Sequence, residues 1–172
     1  MKIELLAPHA AQGKLDDFAD LLRDAVDSGA SVGFLPPLER EHAYDYWRSV
    51  FTDADAGRRL VLAAMNGARL VGTVQLELAM KANARHRAEV QRLLVHTSAR
   101  RQGIGERLML ALEDLARQHR RTLLVLDTRQ GDPSETLYQK LGYTRAGAVP
   151  GYARSAGGAL DATVIYYRQL DA

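Results

Sequence analysis

Cysteine is absent from this chain of 172 residues. That excludes disulfide scaffolds, thiolate zinc sites, iron–sulfur clusters and any cysteine nucleophile. It also suits a chain working in a reducing cytoplasm, which is the expected location. No run of about 18 apolar residues occurs, so no membrane-spanning helix is expected. Glu4 and Pro8 interrupt the apolar start that a secretory signal requires. A surplus of one charge is lacking as well. The 23 basic residues face 21 acidic ones, a formal net charge of +2, which argues against a general nucleic-acid binder. Repeats of fixed period and low-complexity tracts are missing. The five histidines, His9, His42, His86, His96 and His119, form no i, i+4 pair and no metal-like cluster, so no metal is expected. Neither Ser31 nor Ser155 sits in a G-x-S-x-G elbow.

What remains is an ordinary folding composition, 47% hydrophobic and 26% charged. A single domain over residues 1–172 can bury a core without a staple. The arginines are uneven: Arg85, Arg87, Arg92, Arg100 and Arg101 fall within seventeen positions. That spacing fits scattered solvent-facing charge, and equally a local site for a phosphorylated small molecule.

Periodicity orders the elements. Residues 2–6 read as a strand. Leu15 to Val26 carries apolar residues at three–four spacing, a helix that Gly29 can stop. A loop of small residues, Ala30 to Phe34, follows, and Pro36-Pro37 would open a second helix bearing Tyr46, Trp47, Val50 and Phe51. Arg59–Met65 and Leu70–Leu78 read as a hairpin about Asn66-Gly67, the second strand alternating Val74, Leu76 and Leu78 with Thr73, Gln75 and Glu77. Lys81–Arg87 is a polar loop and Glu89–Val95 a strand. Gly103–His119 is a helix with Leu108, Leu112 and Leu115 on its buried stripe. Thr122–Leu126 is an apolar strand suited to burial on both faces. Asp132-Pro133-Ser134-Glu135 has the form of a capping box, starting a helix that ends at Gly142. Strands near Tyr143–Val149 and Val164–Arg168, joined through Gly157-Gly158, complete the chain. A mixed sheet with helices on both faces is the α/β solution to this order.

The chemically informative segment is Arg100-Arg101-Gln102-Gly103-Ile104-Gly105, at a strand-to-helix junction. A helix start leaves N–H groups unpaired and carries partial positive charge. Glycines there admit close approach of a ligand, so the segment can cradle a phosphate or pyrophosphate. The same residues also suit a ligand-free connection. The segment is neither a Walker A loop nor a full Rossmann fingerprint.

Arg-x-x-Gly-x-Gly preceded by Leu93-Leu94-Val95-His96, together with Leu137-Tyr138-Gln139-Lys140-Leu141-Gly142-Tyr143, resembles the signatures of the GCN5-related N-acetyltransferases, over nearly the whole chain. More narrowly, Ala30–Phe34, Ala88–Gln91, Leu126–Thr128 and Pro150–Tyr152 resemble the tabtoxin-resistance acetyltransferases. The resemblance implies a single-domain GNAT fold: a mixed, mostly antiparallel sheet of about seven strands with splayed central parallel strands. It implies acetyl-CoA as cosubstrate, with pyrophosphate on the loop of Arg100, Arg101, Gln102, Gly103, Ile104 and Gly105, Glu106 beginning the helix behind. Backbone at Leu93 and Val95 would pair with pantetheine. Where the family often has an asparagine, this chain has Asp132-Pro133-Ser134, so either Ser134 substitutes or that contact is missing.

The implied reaction needs a base for the acceptor amine and an acid for the departing thiolate. Glu89 is the first candidate for the base, and Asp127, at the carboxyl end of a strand, the second, alone, with Glu89, or as an ammonium ligand. Asp127 could equally just start a turn, and a water chain could serve as base. Tyr138 matches the family's thiolate-protonating tyrosine. The fold of the family puts Val32, Phe34, Tyr44 and Trp47 near the acceptor, with the Arg85–Arg87 loop. Asp127 for an amine and Arg87 for a carboxylate would favour a small amino-acid-like acceptor, including a β-lactam toxin or an antibiotic-type metabolite. Competing expectations are a non-catalytic acyl-CoA sensor, an acetyltransferase of protein amines, and nucleic-acid binding through the arginines. The oligomeric state is open between monomer and homodimer.

Overall fold

Each periodic run takes the form its spacing implies, in a computed structural model that describes residues 1–7 and 13–171. Pro8 and His9 lie outside the described residues. Strand β1 (Lys2–Leu5) precedes helices α1 (Leu15–Asp27) and α2 (Arg40–Asp55). Strands β2 (Arg59–Asn66), β3 (Arg69–Leu78) and β4 (Arg87–Val95) come next, then α3 (Ile104–Gln118). Strand β5 (Leu123–Arg129), helix α4 (Pro133–Lys140) and strands β6 (Thr144–Arg154) and β7 (Leu160–Gln169) complete the order. Short 3-10 turns at Ala82–Ala84 and Thr97–Ala99 flank β4. No helix among the described residues is long and apolar enough to cross a membrane.

The strands form one sheet in the order β1-β2-β3-β4-β5-β7-β6. All neighbours are antiparallel except β4 and β5. That parallel pair is joined only where Arg87–Glu89 face Leu123–Val125. Beyond it the strands part, and the opening positions the site.

Two apolar clusters cover the sheet. Val74, Leu76, Leu108, Leu112, Leu124 and Tyr166 belong to one, with α3. Phe18, Leu22, Trp47 and Phe51 belong to the other, with α1 and α2. In the second, the Phe18 and Trp47 rings are 4.5 Å apart. Strand β3 therefore lies between layers. The alternation of its sequence holds, but the polar side is not solvated: Thr73 and Gln75 are fully buried. Both are satisfied inside, Thr73 Oγ1 donating to the Leu62 carbonyl at 2.8 Å and Gln75 Nε2 to the Tyr46 hydroxyl at 2.9 Å.

Several boundaries differ from the sequence reading, each for a local reason. Pro36-Pro37 do not open α2; Glu39, in extended conformation, is its N-cap. Leu38, just before it, is buried, and its carbonyl accepts from Arg23 Nε at 3.0 Å. The β2–β3 turn uses Gly67-Ala68, since Asn66 still pairs with Arg69; Gly67, at φ +61°, supplies the positive φ of a Gly-X hairpin loop. Strand β5 is not buried on both faces: Leu124 and Leu126 are buried, while Leu123 and Val125 are half-buried and Asp127 exposed, because the parted strands leave one side open.

The capping box at α4 forms only in part. Asp132 is the N-cap, but its Oδ1 accepts from Arg129 Nε and Nη2 at 2.9 and 2.8 Å instead of capping the helix. Glu135 reaches past it to the Gly131 N–H at 2.7 Å and accepts from the Tyr166 hydroxyl at 2.6 Å. Those two bonds hold its carboxyl below the ordinary value of 4.5. A depressed folded pKa contributes stability above the unfolded pKa, which is lost as pH falls through the folded one. The Tm gap between wild type and Glu135→Gln is therefore expected to be widest at pH 6–7 and to narrow below about pH 4.5. A gap independent of pH in thermal melts would contradict this.

Candidate active site

The parting of β4 and β5 opens a cleft of about 1120 Å³. Its walls are β4, the loop into α3, the start of α4, the end of β5, the β6–β7 strands and the segment after α1. A smaller cavity of about 240 Å³ adjoins it, sharing Gly29, Ala30, Ser31, Gly33, Arg129 and Ala153.

At one end the chain turns into α3. Arg101 and Gly103 both have positive φ, +64° and +73°. The turn brings N–H groups to bear on one spot. The first helical bond here runs from the Arg107 N–H to the Gly103 carbonyl, so the N–H groups of residues 102–106 find no acceptor among the described residues. A Cβ on Gly103 would meet nothing within 4 Å, so the space it would enter is open. Gly105 serves differently. Its Cβ would touch Leu137 at 3.4 Å and Leu93 at 3.9 Å, so its smallness is used in packing.

The loop is tied to α1 by contacts that no motif announces. Arg100 donates to the Val95 carbonyl at 3.1 Å and to Ser28 Oγ at 2.7 Å. Asp24 accepts from the Thr97 N–H and hydroxyl at 2.8 and 2.6 Å. His96 caps the 3-10 turn through Nδ1, which accepts from the Ser98 N–H at 3.2 Å. It is a turn residue, as its position suggests.

In mid-cleft, Glu89 lies at the last β4–β5 pair, opposite Val125. Its Oε1 accepts from Gln91 Nε2 at 3.2 Å. Gln91 Oε1 in turn accepts from Arg59 at 3.1 Å, which also bonds Gln75 at 2.7 Å and Glu77 at 2.7 Å. Asp127 accepts from Thr163 Oγ1 at 2.8 Å. Tyr138 is buried on α4, its ring near those of Tyr143 and Tyr166. Its hydroxyl, which has no hydrogen-bond partner among the described residues, is pushed far above the ordinary phenol value by burial and by the Asp127 and Asp132 carboxylates. It thus keeps its proton at neutral pH. Thr128 and Ser134 hydroxyls are 2.7 Å apart beside it.

Of the residues singled out in the sequence, Glu89, Asp127, Tyr138, Leu93, Val95 and Val32 line the cleft together. So do Arg100, Arg101, Gly103, Ile104, Gly105, Glu106 and Ser134. Others do not. Gln102 is exposed outside it. Phe34 lines the smaller cavity, edge-on to Tyr46 at 5.5 Å. Arg87 sits where β4 and β5 are still paired, before the cleft opens. Trp47 is core, and Tyr44 packs half-buried against the same cluster with its hydroxyl bonded to Asp16 and Arg40 instead of the cleft. Residues passed over include Gln91, Arg129, Thr163 and above all Arg92, at φ +51° in a bulge of β4.

Comparison with known proteins bears on this geometry. The model of the Acetyltransferase (GNAT) family matches residues 20–143, most of the chain. The chain belongs to the GNAT acetyltransferase family. It is similar to an uncharacterised N-acetyltransferase of Azospirillum brasilense from the hisH-hisA intergenic region, 32% identical over 120 residues, covering 69% of this chain and 70% of the relative. The GNAT fold extends along the whole chain. The ribosomal-protein-alanine N-acetyltransferase of Brucella melitensis matches with TM-score 0.82 at 19% identity, covering 99% of this chain and 100% of that one. The yncA protein of Salmonella typhimurium, solved with its cofactor acetyl-CoA, matches with TM-score 0.79 at 18% identity, covering 99% and 94%.

GNAT enzymes use acetyl-CoA as cosubstrate, and the residues present suit it. Free N–H groups at a helix start, beside the exposed Arg101, make a donor set for pyrophosphate. Beyond Glu89 the β5-facing edge of β4 has no strand partner among the described residues, leaving room for an extended chain. No group of three or more metal-ligating side chains occurs among the described residues.

Proposed function

We propose that this GNAT enzyme acts in the cytoplasm and transfers acetyl directly to the amine of a small amino-acid-like molecule, a class that includes β-lactam toxins and antibiotic-type metabolites. One observation carries the reading. Among the described residues, five carboxylates line the cleft: Glu89, Glu106, Asp127, Asp132 and Asp161. Glu106 is paired with Lys140 at 2.7 Å, Asp132 with Arg129 at 2.8 Å and Asp161 with Arg129 at 3.8 Å. Among the described residues, Glu89 and Asp127 have no cation within salt-bridge distance. They are the anions left to meet an acceptor ammonium.

Acetyl-CoA supplies the acetyl thioester and a thiolate leaving group. Glu89, held by Gln91, takes the proton of the acceptor amine, whose freed lone pair forms the new C–N bond. Asp127 orients the amine. Tyr138 donates its proton to the sulfur as the C–S bond breaks, a role for which a neutral hydroxyl is required, and the second proton that the new amide nitrogen sheds restores the tyrosine. Pyrophosphate binds the loop of residues 101–105 and Ser134 contributes a hydroxyl to pantetheine.

Thiol release measured over amino acids, β-lactam amino acids, polyamines, aminoglycosides and peptides tests the reading. Turnover confined to the last three groups would overturn it. Tyr138→Phe is expected to lower kcat about 10²-fold at every pH, with acetyl-CoA affinity kept. A loss under two-fold would remove Tyr138 from proton delivery.

A further inference from the structure

Among the described residues, five cationic side chains line the cleft: Arg92, Arg100, Arg101, Arg129 and Lys140. Three are engaged by the protein. Arg100 serves Val95 and Ser28, Arg129 serves Asp132, and Lys140 serves Glu106. Arg101 stands on the loop assigned to pyrophosphate. Arg92 remains. It makes no hydrogen bond or salt bridge among the described residues, and its Nε is buried without a partner.

The backbone goes out of its way to put it there. From Gln91 to Leu94, β4 advances three residues while the facing β3 advances two, from Thr73 to Gln75. The extra residue makes a bulge, and Arg92 takes φ +51°, a left-handed conformation that an arginine rarely adopts. The guanidinium then lies over the Tyr46 ring, 5.5 Å from its centroid. It also lies against the segment after α1, where a Cβ on Gly33 would fall 2.9 Å from its Nη2. Tyr46 and Gly33 thus seat the guanidinium by its face and one flank, and neither offers a counter-charge. A half-buried cation with unused donors is costly unless a ligand completes it. A planar fork of donors fits a carboxylate bidentately.

We propose that Arg92 binds the carboxylate of the acceptor, so that the enzyme selects amines carrying an acid group over simple amines, diamines and amides. This rests on the acetyl-transfer reading of the same cleft and gives it a substrate class. Arg92 and Glu89 are three residues apart on one strand, about 10 Å of extended chain. Ammonium at Glu89 and Asp127 and carboxylate at Arg92 then define the two ends of a zwitterion.

The test uses the full chain, α-, β- and γ-amino acids, and the carboxamide of each. Wild type should favour acid over amide in kcat/KM by about 30-fold or more, the scale of losing one partner of a desolvated charge pair. Arg92→Gln should erase that preference by raising KM for the acid, while its kcat/KM for the amide stays within a few-fold. Arg92→Lys should restore part of the preference. Binding of the free acids, by calorimetry on the complex with CoA, which carries no acetyl group to transfer, gives a readout without turnover. Equal use of acid and amide by wild type, or an equal loss for both in Arg92→Gln, overturns the carboxylate role while leaving acetyl transfer intact. No turnover on the panel, with acids still bound in an Arg92-dependent way, overturns the acetyl-transfer reading and supports the anion site. Absence of both turnover and acid binding overturns both.

Discussion

Gly103→Val is expected to weaken acetyl-CoA binding about 10²-fold or more. Gly103 has φ +73° at the start of α3, and a Cβ there enters open space at the rim of the cleft. A branched side chain would stand where an anion must approach the N–H groups of residues 102–106. Charge-assisted hydrogen bonds contribute about 1.5–3 kcal/mol each, so losing two costs about 3–6 kcal/mol. Left-handed φ adds about 1–2 kcal/mol of strain, which acts on folding. Gly67→Val separates the terms, because Gly67 has φ +61° and equally open surroundings but lies in the turn of the β2–β3 hairpin, outside the cleft lining. It should lower Tm similarly and leave calorimetric affinity for acetyl-CoA unchanged. Wild-type affinity in Gly103→Val would show that the pyrophosphate lies elsewhere.

Glu89→Gln is expected to lower kcat about 10²–10⁴-fold at pH 7, the usual contribution of a positioned base. The loss should shrink as pH rises toward the pKa of the acceptor amine, where the amine no longer needs a base. Asp127→Asn should raise KM for the acceptor more than it lowers kcat, and should do so without that recovery. If Asp127→Asn shows the recovery and Glu89→Gln does not, the assignment of the two carboxylates is reversed. The carboxylate proposed as base is held by Gln91 on β4 and, through it, by Arg59 on β2.

The glycine-bearing junction before α3, the alternation of β3 and the Pro-initiated helix at Pro133 were legible because each depends on residues adjacent along the chain. Three other features were not. Arg87 and Arg92 are indistinguishable as arginines on one strand. They part company only because β4 is paired with β5 at Arg87 and bulged against β3 at Arg92. Gln75 looks solvated, yet two helices cover it. Asp132 has the sequence of a helix cap, yet Arg129 occupies its carboxylate.

The sequence by itself determined the order of strands and helices, the cysteine-free chemistry and the location of the glycine-bearing helix start proposed to hold pyrophosphate. These follow from local periodicity, composition and the conformational freedom of glycine. Tertiary structure alone decided which cations and carboxylates stay unpaired in the cleft. That depends on register between strands and on who reaches whom across the fold, and a one-residue bulge in β4 is enough to turn Arg92 from sheet surface into the cleft.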